Sequence, residues 1–115
     1  MKKVIFGTVP SKSNSYAIAH KRIYKTKPLK DYERSFSLQI GELANKALDC
    51  FFDFEVDVYY PSMRADLDNS LKIILDCLQQ TNTIANDNKC HSILARRFKD
   101  KENPRIEFKI NVRSL

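Results

Sequence analysis

The segment Phe52-Asp53-Phe54-Glu55-Val56-Asp57-Val58 alternates apolar and acidic residues without a break. Side chains alternate faces along a strand, so this spacing predicts a strand with one buried face and one acidic face. Such a strand must pack its apolar side against other elements. Pro61 stops it, because proline has no N–H for the ladder.

The flanking segments change period. Leu29, Tyr32, Phe36, Ile40, Leu43, Ala44 and Ala47 recur at steps of three and four, which predicts a helix over residues 29–48. Gly41 inside that helix suggests a close packing contact. A second helix is expected over residues 69–80, with Leu71, Ile74, Leu75 and Leu78 on one face. Residues 2–9 carry a short strand, residues 16–27 an extended hairpin arm, and Ile93, Ala95, Phe98 and then Ile106, Phe108, Ile110, Val112 two closing strands turned at Asn103-Pro104. The order β-(β)-α-β-α-β-β gives a single compact domain over residues 1–115, of α/β (α+β) class, built on a mixed sheet with two main helices.

Charge is unevenly placed. Residues 1–30 hold eight basic and no acidic residues, residues 31–60 two and seven, residues 61–90 three and four, and residues 91–115 seven and three. Basic segments suggest a polyanion such as nucleic acid, with ordinary solubility charge as the alternative. No apolar run is long enough for a membrane span, and Val4-Ile5-Phe6 is too short for a signal peptide, so a cytoplasmic protein is expected. Cys50, Cys77 and Cys90 form no C-x-x-C pair and read as reduced, buried thiols.

Chemistry concentrates between Asp66 and Asp87. Read as an extended segment ahead of the second helix, Asp66-Leu67-Asp68 puts both carboxylates on one side, roughly 6–7 Å apart at Cα. Paired carboxylates repel unless a cation lies between them, and hard divalent cations take oxygen ligands. Asn69, Lys72 and Asp76 share a helix face. Asp87 can return to the pair if the connection runs straight back along the helix. Simpler roles exist for each: a helix cap for Asp68 or Asn69, an i, i+4 pair with Asp76 for Lys72, a turn for Asp87. Taken together, a basic protein with a local acidic cluster outlines a metal-dependent nuclease.

In this respect the chain resembles the RusA family of Holliday junction resolvases. Pro10-Ser11-Lys12-Ser13-Asn14-Ser15-Tyr16 is similar to the family's N-terminal loop, Asp66-Leu67-Asp68-Asn69-Ser70-Leu71-Lys72 to its central block, and Ile84-Ala85-Asn86-Asp87 to its second acidic block. The resemblance implies Asp66, Asp68 and Asp87 as Mg²⁺ ligands (Mn²⁺ as a substitute), with Lys72 at the scissile phosphate. It further implies a homodimer that makes paired symmetric nicks in four-way junctions during recombination and repair. Lys12, Ser13, Asn14, Lys21, Arg22, Lys25, Lys27 and Asn69 are the expected DNA contacts, with Arg96 and Arg97 as further candidates. His91 is a weak one. Asn86 departs from the family's acid, which leaves a non-catalytic junction-binding protein of the same fold as the alternative.

Overall fold

A computed structural model describes residues 1–11, 14–64 and 67–113, without the side chains of Asp68 and Asn69. Strand β1 spans Lys2–Phe6, β2 Tyr16–Ala19, β3 Arg22–Lys25, β4 Phe52–Tyr60, β5 Cys90–Lys99 and β6 Arg105–Val112. Helix α1 spans Lys27–Gln39 and α2 Leu67–Gln80, with 3₁₀ turns at Gly41–Leu43 and Asp87–Lys89. Four strands form a mixed sheet in the order β1-β6-β4-β5, with β4 parallel to β5 and antiparallel to β6. Strands β2 and β3 form a separate antiparallel hairpin. The domain is α+β, as the sequence pattern implies. No helix among the described residues is long and apolar enough to cross a membrane.

The alternation of β4 is realised at every position: Phe52, Phe54, Val56, Val58 and Tyr60 are buried, and the residues between them are half-exposed. Ile106, Phe108 and Ile110 of β6 and Ile5 of β1 continue the apolar face. Leu29, Tyr32 and Phe36 of α1 cover it together with Ile73, Ile74, Cys77 and Leu78 of α2.

The acidic side of β4 meets the basic end of the chain. Asp57 accepts from Arg96 Nε at 2.8 Å, and Asp53 accepts from Arg113 Nη1 at 3.1 Å and from the Ser92 hydroxyl at 2.5 Å. Those contacts hold the Asp53 carboxyl below its usual range, the Ser92 hydrogen bond contributing most. The C-terminal basic segment thus neutralises β4 within the fold.

Three local expectations change. The first helix ends at Gln39 rather than near residue 48, because Gly41, Asn45 and Ala47 take positive φ (59°, 62° and 50°) and helix cannot continue through them. Gly41 does sit at a close approach, since a Cβ there would lie 2.9 Å from Lys3 Nζ. On α2 the buried stripe is Ser70, Ile73, Ile74, Cys77 and Leu78, while Leu71 and Leu75 are only partly buried. Finally, α2 begins at Leu67, so Asp68 lies in the first helical turn and not in an extended segment.

Candidate active site

Helix α2 carries the chemistry on its outer face. Lys72 and Asp76 are an i, i+4 pair, Nζ to Oδ1 3.1 Å, with the lysine side chain 68% exposed. Gln79 follows one turn later, and its Oε1 accepts the backbone N–H of Asp87 at 3.1 Å. The connection does not run straight back along the helix. It crosses first to Leu48, where Ile84 bridges, and Ala85 N donates to Leu48 O at 2.9 Å. Asn86 then caps the 3₁₀ turn, its side-chain oxygen accepting from Asn88 N at 2.9 Å. Asp87, the first residue of that turn, is thereby returned to α2. The Lys72 ammonium is pushed above its ordinary value, first by the Asp76 hydrogen bond and charge, then by the charges of Asp87 and Tyr16.

Tyr16 comes from the root of the hairpin, where it pairs with Lys25. Lys25 donates to Glu33 Oε2 at 2.8 Å, and Gln80 Nε2 donates to the same oxygen at 2.7 Å. Glu33 on α1 therefore ties the hairpin root to the last turn of α2. The Glu33 hydrogen bond is the largest of the effects that raise the Lys25 ammonium, and the charge of Asp76 adds to it. Hairpin and polar helix face are neighbours.

The Pro/Ser/Asn loop anchors that root. Buried Ser15 donates its hydroxyl to Ser11 O at 2.6 Å, Thr26 N donates to Ser15 O at 2.9 Å, and Thr26 Oγ1 donates to Asn14 O at 2.5 Å. An open groove of about 710 Å³ runs between this loop, the hairpin root and the segment leading into α2, with Asn14, Tyr16, Tyr60 and Ser62 in its walls. At the helix start the buried Tyr60 hydroxyl and Ser70 hydroxyl share a hydrogen bond, which fixes α2 to the end of β4.

Asp66, Lys12 and Ser13 lie outside the described residues, as do the side chains of Asp68 and Asn69. Among the described residues no three His, Cys, Asp or Glu side chains come together as a metal cluster. Asp87 and Lys72 are brought to one helix face. Lys21 and Arg22 stand exposed in the hairpin, and no ion pair engages them among the described residues. Lys25 and Lys27 differ from the expected free cations, because Glu33 and Asp31 hold them at 2.8 and 2.7 Å. Arg96 is committed to Asp57, on the sheet face that carries the acids. His91 is exposed at the start of β5.

The family model described as Endodeoxyribonuclease RusA matches residues 6–111, nearly the whole chain. The chain belongs to the RusA endodeoxyribonuclease family. No curated protein matches it at a significant level. Within this RusA-family chain, sequence reasoning passed over Glu33 and Gln79 and took in Tyr16 only as the last residue of the N-terminal loop. Gln79 had a signal, standing seven residues after Lys72 on the same helix face. Glu33 had none, since only the packing of hairpin against helices brings it in.

Proposed function

We propose that the chain is a Mg²⁺-dependent, structure-selective endodeoxyribonuclease that resolves four-way DNA junctions by paired symmetric nicks, acting as a homodimer. Membership in the family supports the reaction class. The observation that carries the reading is the return of Asp87 to the Lys72–Asp76 face of α2, beside a hairpin rich in cations.

Asp66, Asp68 and Asp87 are the residues that would hold the metal, an all-oxygen donor set suited to a hard cation. Bound there, Mg²⁺ supplies Lewis acidity toward the phosphate and a more acidic water. Lys72 places a fixed ammonium at the same face, where it stabilises charge developing on the phosphate oxygens. Gln79 positions Asp87 through its backbone N–H. Asp76 orients Lys72. Lys21, Arg22 and Lys12 hold the DNA backbone electrostatically. Two symmetric cuts call for two symmetric sites, which a twofold dimer provides.

The alternative, a junction-binding protein without catalysis, turns on Asn86 as a lost ligand. Its side chain instead caps the 3₁₀ turn that presents Asp87, a task for which Asn and Asp are equally suited. That favours the nuclease. The test is a labelled four-way junction and a linear duplex, with Mg²⁺ and with EDTA, beside Asp68→Asn. Mg²⁺-dependent paired nicks in the junction alone, absent in the variant, are expected. Binding without nicks in every lane would establish the binding protein instead.

A further inference from the structure

The most exposed apolar pair of the hairpin sits on its site-facing side. Register pairs Tyr16 with Lys25 and Ile18 with Ile23, so all four side chains share one face. The first pair is the root, where Lys25 donates to Glu33 at 2.8 Å and Gln80 of α2 donates to the same carboxylate oxygen at 2.7 Å. The second pair, farther out, is almost fully bare: Ile18 is 79% and Ile23 72% exposed. Two isoleucines directly opposed on a free face form a small contiguous apolar blade rather than a single scattered residue.

Its surroundings select the occupant. His20 and Lys21 form the hairpin turn, both at positive φ (52° and 61°), which is the geometry of a tight type I′ turn. Lys21 stands in the turn, Arg22 lies beside it on the opposite face across from Ala19, and residues 1–30 contain no carboxylate. Lys25 at the root is held by Glu33, but Lys21 and Arg22 at the tip have no ion pair among the described residues. An apolar blade on such a cationic tip suits a polyanion with an apolar interior that can be opened, namely DNA at unstacked base steps. From Tyr16 to Ile18 is about 7 Å along the strand, about two nucleotide steps.

We infer that Ile18 and Ile23 form a wedge that enters DNA at the branch point and holds it open next to the Asp87–Lys72 face. The inference rests on the proposed junction substrate and adds to it the element that distinguishes a branch from a duplex. Unstacking a closed duplex costs energy that an open branch does not demand, so the wedge favours junctions over duplex.

The experiment uses the full chain with Ca²⁺ in place of Mg²⁺ and a four-way junction carrying 2-aminopurine at the branch. Wild type is expected to raise the fluorescence of the unstacked base. The double variant Ile18→Thr/Ile23→Thr keeps the β-branched shape but not the apolar surface. It should lose most of that rise and about tenfold of its preference for junction over duplex, with duplex affinity unchanged. Ile23→Phe, a larger wedge, should raise the fluorescence further, and it serves if the double variant does not fold. Equal fluorescence and preference in wild type and variants overturns the wedge while leaving the nuclease reading intact. Failure of the wild type to bind the junction at all overturns both. Loss of self-association in the double variant, with DNA behaviour unchanged, assigns the pair to a protein contact and overturns the wedge.

Discussion

Lys72 Nζ and Asp76 Oδ1 lie 3.1 Å apart across one turn of α2, and the same lysine feels the charge of Asp87 from a separate loop. One exposed ammonium thus joins a local helix pair to a residue that folds back from the following connection. A surface pair of this kind contributes only about 0.3–0.5 kcal/mol to stability.

Lys72→Ala is therefore expected to leave the melting temperature nearly unchanged and to lower junction cleavage by about 10²–10³-fold, the effect of removing one preorganised stabilising group. The sign of the pH effect is fixed by the raised pKa. The pair's contribution is complete below the unfolded value and is lost only as pH rises through the higher folded value, above 10.5. A cleavage profile taken to about pH 9.5 should show no alkaline fall due to Lys72. A fall near pH 8 would remove it from the reaction.

Asp68 stands in the first turn of α2, where a carboxylate gains about 0.3–1 kcal/mol from the helix dipole. Asp68→Asn should change stability by less than about 1 kcal/mol in the absence of metal and abolish cleavage. Mg²⁺ should raise the wild-type melting temperature and leave the variant's where it was. A large loss of stability without metal would make Asp68 a structural residue.

Lys21 and Arg22 are unpaired cations among the described residues, whereas Lys27 is held by Asp31 at 2.7 Å. Duplex binding titrated against salt should lose about 0.9 from its logarithmic slope for each of Lys21→Ala and Arg22→Ala. Lys27→Ala should lose less than half of that, because its counter-charge is already in place. Equal slopes for all three would mean that the hairpin does not hold DNA.

Two buried tyrosines should respond in opposite directions to loss of the hydroxyl. The Tyr60 hydroxyl is bonded to Ser70, so Tyr60→Phe should cost about 1–3 kcal/mol through the orphaned serine. The Tyr32 hydroxyl is buried with no partner among the described residues. Tyr32→Phe should be neutral or stabilising by about 1 kcal/mol. Urea denaturation of both variants checks the pair, and a destabilised Tyr32→Phe would reveal a partner for that hydroxyl.

Cys77 is 1% exposed, and burial pushes its thiol up to about 12. In native protein at pH 8 it should not react with an aromatic disulfide reagent, while half-buried Cys50 and Cys90 do so slowly. Mass spectrometry of the labelled protein assigns the sites. Rapid labelling of Cys77 would show that α2 opens from the sheet.

Local sequence determined β4 completely, because an unbroken two-residue period admits only one face for the core. It determined the existence of both helices through a three-and-four period, and of the hairpin arm and the two closing strands through alternation. It also marked Asp66, Asp68, Lys72 and Asp87 as a set, through their order along the chain. Tertiary structure decided the rest. Where α1 stops depends on positive φ at Gly41, Asn45 and Ala47, which the three-and-four spacing of residues 40–47 concealed. Which basic residues remain free depends on where acids from distant segments land: Arg96 and Arg113 meet β4, and Lys25 meets α1. Asp87 is brought to the Lys72 face of α2 through the bridge of Ile84 to Leu48 and a hydrogen bond from its own N–H to Gln79, neither of which spacing can specify. Periodicity reports what one element buries; the charges and hydroxyls of a site are placed by contacts between elements, and those exist only once the chain has closed on itself.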